Sequence, residues 1–174
     1  MSDSRQQPLG ILSTINHMTY TLFPLRADVA DTYRIEGGIV VHADTNPGYP
    51  CRQCLRDAEV GEALLLVSHD PFLGSTPYRS PSAIFIHREP CGSPASLVGI
   101  AEQQRRRQLS VRAFDRHELM VQAHVIDGTD LDQALNDLLV NSEIDRVDVH
   151  NAPQGCWAMS ARRADTTSED GQSA

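Results

Sequence analysis

The apolar and polar positions alternate with a period of two in the C-terminal half of the chain. Residues 109–114 and 119–126 each place apolar side chains at every second position, a pattern typical of half-buried strands. The polar connection 115–118 joins the two segments, so together they predict an antiparallel hairpin. Other short alternating or apolar runs predict strands at 20–22, 39–41, 63–68, 83–87, 147–149 and 156–162.

Two segments carry a helical pattern instead. One apolar stripe recurs at helical spacing: Leu131, Ala134, Leu135, Leu138 and Leu139. Asp130 just before the stripe is a candidate N-cap, and Gln133 is its candidate capping-box partner. A second helix is predicted over 96–107, because its last three residues are arginines that suit the negative end of the helix dipole.

Strands joined mainly by hairpins, with helices between some of them, predict an α+β fold. We expect a single domain at 9–163, with a mainly antiparallel sheet and a few helices packed on one face. A flexible N-terminus at 1–8 precedes it, and a disordered acidic tail at 164–174 follows it. Loops punctuated by proline and glycine interrupt the strands at 44–50 and 73–81.

The charge balance narrows the choice of partners. The chain has 15 basic and 23 acidic residues, a net charge of −8, which repels phosphate backbones and anionic membrane surfaces. We therefore expect neither a nucleic-acid partner nor a membrane partner. Every basic residue is an arginine, which excludes Schiff-base chemistry on a lysine. The edges of a small open sheet allow a homodimer without requiring one.

The N-terminus lacks a basic region followed by an apolar run, and the longest apolar runs are too short to cross a bilayer. We therefore expect a soluble cytoplasmic protein, in which the four cysteines are reduced thiols or metal ligands. A chain of this length buries roughly 70% of its unfolded surface. It needs neither a metal nor a disulfide simply to hold a core.

The sharpest candidate for chemistry is a set of four residues that suit a metal: Cys51, Cys54, His87 and Cys91. Zinc prefers thiolate and imidazole ligands, and four of them close a tetrahedral site. Gly92 favours a tight turn directly after the last ligand. Two features count against the site. The two pairs are separated by 32 residues, 55–86, more than in common zinc fingers, and Leu55 stands where a compact knuckle favours glycine.

Other interpretations of these residues stay open. The cysteines suit small half-buried core positions, and the histidine suits a strand position with its hydrogen bonds met. A C-x-x-C pair is also a redox motif when it begins a long helix, although here only a short polar segment follows. Cys156 fits a packed thiol better than a nucleophile. His42 and His69 are each close to an aspartate, and such loop histidines are more often structural than general bases.

Seven short motifs follow one another along the chain: PGYPCR at 47–52, LRDAEVGE at 55–62, PYR at 77–79, AIFI at 83–86, VRAFD at 111–115, VHNA at 149–152 and GCW at 155–157. In order and spacing they resemble an uncharacterised bacterial family, domain of unknown function 1203, over about residues 20–163. The resemblance implies no activity. It also counts against a ligand set common to the family, because the positions of Cys54 and Cys91 often carry other residues there.

The matching stretches are largely loops, and loops positioned by a sheet are where binding residues usually lie. The resemblance therefore implies a pocket between 47–62 and 77–82, lined by Arg52, Asp57, Tyr78 and Arg79. Three functions follow, which we favour in this order. The chain is a binding or accessory protein that uses this loop site, a structural zinc protein, or a small enzyme that uses a loop histidine or cysteine.

Overall fold

The alternating segments form strands in the computed structural model, which describes residues 19–94 and 99–164. The strands in chain order are β1 (Tyr20–Phe23), β2 (Ile39–His42), β3 (Ala63–His69), β4 (Ser82–His87), β5 (Gln108–Phe114), β6 (Met120–Asp127), β7 (Arg146–Asn151) and β8 (Trp157–Arg163). A five-stranded antiparallel sheet has the order β1-β8-β7-β5-β6, and a three-stranded antiparallel sheet has the order β2-β3-β4. The α+β class is confirmed, but the strands divide between two sheets.

The larger sheet is covered by helix α3 (Leu131–Leu139), which follows a short 3-10 turn. Leu131, Leu135, Leu138 and Leu139 are buried against the sheet, as the apolar stripe predicted. The predicted capping box does not form. Asp130 stands at the N-cap position without a side-chain hydrogen bond, and Gln133 donates to Asp137 instead.

The predicted hairpin is confirmed as β5 paired with β6, with a bulge between Ala113 and Phe114. The carboxylate of Asp115 accepts hydrogen bonds from the backbone N–H groups of His117 and Leu119, which fixes the turn. Strand β6 forms one edge of the sheet and is exposed along most of its length.

One helix prediction was wrong, and one helix was missed. The helix predicted over 96–107 is reduced to α2 (Glu102–Arg105), because Gly99 takes a left-handed φ of +84° and β5 begins at Gln108. Helix α1 (Ala27–Glu36) was not predicted, since Ala30 is the one buried residue among its ten. The segments 1–8 and 165–174, for which a flexible N-terminus and most of an acidic tail were predicted, lie outside the described residues.

The two sheets meet through a second apolar cluster. Ile84 and Ile86 of β4 pack with Trp157 of β8 and with Ala30 of α1. This packing places the loop before β3 and the end of β4 side by side. Within the described ranges, every helix is too short or too polar to pass through a bilayer.

Candidate metal centre

Residues 50–57 form a tight loop that carries the first two cysteines. Pro50 and Asp57 close it as an isolated antiparallel bridge, and the N–H of Cys51 donates to the carbonyl of Arg56 at 3.0 Å. Leu55 takes a left-handed φ of +53°, which costs a non-glycine residue about 1–2 kcal/mol. Its side chain is buried in the larger apolar cluster, and burial of a leucine contributes roughly 1.5–3 kcal/mol. Burial of the leucine side chain therefore offsets the backbone cost at a position where glycine was expected.

Strand β4 brings the second pair of ligands to this loop. Cys51 lies beside Phe85 in an isolated parallel bridge, and the N–H of Arg52 donates to the Phe85 carbonyl at 2.9 Å. His87 is the last residue of β4, and Gly92 has a φ of +71° in the turn after the final cysteine. Backbone hydrogen bonds thus span the sequence gap that counted against the site.

The structure brings the four predicted ligand atoms together. The sulfur atoms of Cys51, Cys54 and Cys91 and a ring nitrogen of His87 all lie within 4.8 Å of one another. The Cys51 and Cys91 sulfurs are 3.8 Å apart, and the Cys54 sulfur lies 3.6 Å from His87 Nδ1. Cys51 and His87 are buried, whereas the other two residues are half-buried. These four side chains could hold a metal ion.

A carboxylate orients the imidazole from its far side. His87 Nε2 lies 3.2 Å from Oε2 of Glu62, so that Nδ1 faces the sulfurs. Arg56 donates two hydrogen bonds to Glu62, at 2.8 and 2.9 Å, and these bonds lower the pKa of Glu62 to about 2. The carboxylate is therefore ionised at neutral pH. A carboxylate behind a histidine is the usual arrangement around a ligating imidazole.

A guanidinium group lies beside the sulfurs as well. Arg34 of α1 donates from Nε to the carbonyl of His87 at 3.1 Å and from Nη2 to Oε1 of Gln53 at 2.7 Å. Its Nη2 is 4.0 Å from the sulfur of Cys91. The sequence analysis missed Arg34 and Glu62, because their contacts with His87 span 53 and 25 residues of chain. No local motif marks contacts of that length.

The close packing of the three thiols and the imidazole favours a negative charge on the buried sulfur of Cys51. Hydrogen bonds with Cys54 and Cys91 lower the pKa of Cys51, and hydrogen bonds with Cys51 and Cys91 raise the pKa of Cys54. Hydrogen bonds to Cys51 and Cys91 raise the pKa of His87 to about 10. Cys51 ionises readily while Cys54 and His87 keep their protons, so the metal-free cluster holds a thiolate next to protons that a cation can displace.

The helical context that a C-x-x-C redox motif requires is not found at Cys51 and Cys54. The loop that carries them leads into strand β3, not into a helix. All four cysteines of the chain are free thiols. The geometry therefore fits metal ligation better than a redox pair.

A cavity of about 650 Å³ opens between the two loops in which the sequence placed a binding site. Arg52 lines it from the first loop, and Ser80 and Ser82 line it from the second. Asp57 does not line this cavity. Its carboxylate holds the guanidinium of Arg107, which does, at 2.5 and 3.0 Å.

The other two predicted pocket residues point elsewhere. The ring of Tyr78 packs edge-on against Phe114 with 5.9 Å between ring centroids, and Arg79 pairs with Asp70. The four residues predicted for the loop pocket are therefore not gathered in one place. Tyr78 and Arg79 lie in the second loop but do not line the cavity.

The two loop histidines considered as bases lie in different surroundings. His42 is exposed on β2. His69 Nδ1 lies 3.0 Å from the hydroxyl of Tyr33, and its ring packs on Trp157 with 4.8 Å between centroids. Burial lowers the pKa of His69, which keeps it neutral in a structural position between α1 and β8.

A model of the family described as protein of unknown function (DUF1203) matches residues 48–163. The match includes all four candidate ligands and confirms the resemblance, over a shorter span than the expected 20–163. The comparisons with curated proteins and with solved structures gave no match.

Proposed function

This chain belongs to the DUF1203 family, whose description names no activity, and we propose that it is a zinc-binding protein. The ion is held by Cys51, Cys54, His87 and Cys91, with Nδ1 as the histidine ligand. Three thiolates and one imidazole are a common ligand set for structural zinc.

The distances between the ligand atoms carry the proposal. With Zn–S near 2.3 Å and Zn–N near 2.05 Å, a tetrahedron places two sulfurs about 3.8 Å apart and a sulfur and a nitrogen about 3.6 Å apart. The Cys51 and Cys91 sulfurs are separated by 3.8 Å, and the Cys54 sulfur and His87 Nδ1 by 3.6 Å. Since the widest separation is within 4.8 Å, a small contraction of the remaining edges completes the tetrahedron.

Four protein ligands leave no position for water or substrate, so the expected role of the ion is structural. Zinc with three thiolates and a neutral imidazole has a net charge of −1. Arg34, with its Nη2 4.0 Å from a ligand sulfur, partly balances that charge. The carboxylate of Glu62 accepts the Nε2 proton of His87, which fixes the tautomer with Nδ1 free to bind.

The ion joins segments that are distant in sequence. Cys54 and Cys91 pack at the border of the second apolar cluster, which has eight buried residues. Zinc ties the loop 50–57 to the end of β4 and to the chain that follows it. Its binding energy is therefore available to stabilise the three-stranded sheet.

Elemental analysis of the purified, untagged protein under reducing conditions tests the proposal. We expect about one zinc per chain in the wild type, and loss of that zinc in Cys54→Ser. The matched control is Cys156→Ser, the same exchange at the one cysteine outside the cluster, which keeps the zinc. Replacing zinc with Co²⁺ adds a second readout, because a tetrahedral thiolate site gives intense visible absorption.

The proposal fails if the wild-type chain takes up no zinc and Cys54→Ser is as stable as the wild type. It also fails if the zinc content falls equally in Cys54→Ser and Cys156→Ser, because the ion then does not depend on the cluster.

As a second candidate function, we propose that the cavity between the two loops binds a small ligand. Its volume of about 650 Å³ lies within the range of roughly 300–1,000 Å³ typical of ligand pockets. A thermal-shift screen against Arg107→Gln tests this function, with the exposed neighbour Arg106→Gln as the control. A ligand that stabilises all three proteins equally binds elsewhere and contradicts the assignment.

A further inference from the structure

The fourth cysteine lies outside the metal cluster, beside the cavity between the loops. Cys156 immediately precedes β8 and is half-buried at the cavity wall. Nη2 of Arg52 lies 3.1 Å from its sulfur, and Nδ2 of Asn151 lies 3.8 Å from the same sulfur. Two N–H groups thus point at one sulfur atom, which suits a thiolate acceptor better than a neutral thiol.

The burial of Arg52 gives an independent reason to expect negative charge at this sulfur. Arg52 is 1% exposed, and its other donors reach the backbone carbonyls of Trp157 at 2.6 Å and Pro50 at 2.7 Å. Among the described residues, no carboxylate forms an ion pair with it. A buried guanidinium without an anionic partner is strongly unfavourable. The sulfur of Cys156 is its one hydrogen-bond partner that is able to carry a full negative charge.

The cavity gives a reactant access to this sulfur. Its walls combine the guanidinium groups of Arg52 and Arg107 with the apolar side chains of Leu66 and Phe85. Such walls accept a small molecule with an apolar body and a polar end. A guanidinium close to the sulfur also stabilises negative charge that develops on an oxygen atom during reaction.

We propose that Cys156 is a reactive thiolate, held by Arg52, that is oxidised by hydroperoxides entering this cavity. The sulfur attacks the terminal oxygen of the hydroperoxide, so that an S–O bond forms and the O–O bond breaks. The sulfur loses two electrons and becomes a sulfenic acid, and the peroxide is reduced. The leaving hydroxide or alkoxide takes a proton from water. Cys156 is not one of the four proposed zinc ligands.

Residue-resolved labelling of the full chain tests the proposal. The protein is treated with hydrogen peroxide in the presence of dimedone, which traps sulfenic acid, and each cysteine peptide is quantified by mass spectrometry. We expect Cys156 to be labelled before the other three cysteines and about tenfold faster in the folded chain than in the urea-unfolded chain. The result for each cysteine is read separately, so failure of the zinc proposal leaves this test intact.

Two variants test the role of the surrounding charges. Asn151→Asp places a carboxylate beside the sulfur and gives Arg52 an alternative partner, so we expect the oxidation rate to fall about tenfold. The matched control is Asn141→Asp, the same exchange in the segment after α3, which leaves the rate unchanged. Arg52→Lys keeps the charge but loses the fork of donors, so it slows oxidation about tenfold if it folds. If Arg52→Lys does not fold, the oxidation rate of Asn151→Asp alone tests whether the surrounding charges activate Cys156.

Either of two results overturns the proposal. The first is oxidation of Cys156 at the same rate in the folded and the unfolded chain. The second is an Asn151→Asp variant that folds and is oxidised as fast as the wild type. The first result means that the cavity does not activate the thiol, and the second means that its electrostatic surroundings do not control it.

Discussion

The two sheets differ in the amount of apolar packing that stabilises each of them. The five-stranded sheet and α3 share one cluster of seventeen buried residues, made almost wholly of aliphatic side chains. The three-stranded sheet shares a cluster of eight, which includes the metal-ligand candidate Cys51, and a separate cluster of three, Ala43, Ala58 and Leu64. The edge strand β2 leaves Ile39 and Val40 exposed at 66% and 45%. Apolar burial is therefore concentrated in one half of the protein.

This difference predicts which part of the chain the proposed zinc stabilises most. The chain as a whole has enough residues for a core, and on that ground the sequence analysis found no need for a metal. A small sheet, however, depends on what covers it. Here the cover consists of α1, Trp157 of β8, a few small or aliphatic residues and the four candidate ligands. We therefore expect the ion to stabilise the small sheet and to matter less for the large one.

The largest effect is expected from Cys51→Ser, which removes a buried ligand. We expect loss of the zinc and a loss of local stability of about 5 kcal/mol or more in β2, β3 and β4, because the binding energy of a structural zinc is folding energy. Hydrogen exchange measures this for each strand. Amides in β5, β7 and β8 should keep most of their protection.

Val140→Ser, an exchange to serine at an exposed position outside the centre, is the control. Uniform loss of protection over both sheets in Cys51→Ser contradicts the comparison, since the two sheets then unfold as one unit.

Leu135→Ala tests the large sheet instead, because Leu135 lies in the middle of the buried stripe of α3. We expect a loss of roughly 2–5 kcal/mol in the free energy of unfolding, since the truncation leaves a cavity in the large cluster. Urea denaturation measures the loss, and the zinc content stays at that of the wild type. Val140→Ala, at a position 85% exposed, is the control and changes stability by less than about 0.5 kcal/mol. Loss of zinc in Leu135→Ala argues that the centre depends on the large sheet.

Acid sensitivity offers a third test, centred on His150 of β7. Burial lowers the pKa of His150 to about 4, and its Nδ1 donates to the carbonyl of Gly155 at 3.0 Å. Below its unfolded pKa near 6.5, the unfolded chain binds the proton more tightly than the folded chain. Stability contributed by the neutral ring is therefore present above pH 6.5 and lost as the pH falls to about 4, by up to about 3 kcal/mol.

His150→Gln keeps a donor for the Gly155 carbonyl and removes the titration. The free energy of unfolding at several pH values should therefore fall less steeply between pH 6.5 and pH 4 in the variant than in the wild type. Release of zinc in acid affects both proteins, so the difference between their slopes isolates the histidine. Equal slopes contradict the prediction.

The smallest effect is expected from Glu62→Gln, which leaves all four ligands in place. The neutral amide orients His87 less well, so we expect zinc affinity to fall roughly 10- to 100-fold, equivalent to about 1.4–2.8 kcal/mol. Competition with a chelator measures the affinity. The neighbouring exposed carboxylate variant Glu59→Gln is the control and keeps wild-type affinity. An unchanged affinity in Glu62→Gln shows that the carboxylate does not support the ligand.

Local periodicity accounts for what the sequence predicted of the fold. The strands β5 and β6 were found because apolar and polar residues alternate along them. Strand β7 was harder to predict in full, because all six of its residues are buried and the polar residues Asp148 and His150 interrupt its apolar pattern. Helix α1 was missed because Ala30 is the one residue that it buries. The division into two sheets depends on pairings between distant segments, which leave no local pattern.

Residue chemistry accounts for what the sequence predicted of the site. Thiols and an imidazole at ligand spacing identified the four side chains that the structure brings together. A cavity lies between the two loops of the predicted pocket, but of the four predicted residues Arg52 alone lines it, and the pocket stays a prediction. The supporting partners Glu62 and Arg34 were beyond reach, since one contacts His87 across 25 residues and the other comes from the missed helix.

The separation between the two halves of the centre has a consequence for how the chain folds. Cys51 and Cys54 are close enough in sequence to capture an ion before any sheet exists, whereas Cys91 is 40 residues from Cys51. The second pair arrives only when β3 and β4 have paired in the register that sets Leu64 opposite His87. A slip of one residue turns His87 to the opposite face of the strand. If zinc binds as proposed, the full set of four ligands is complete only after the hairpin has formed in the correct register, and an ion held by two thiolates alone is easily lost before then.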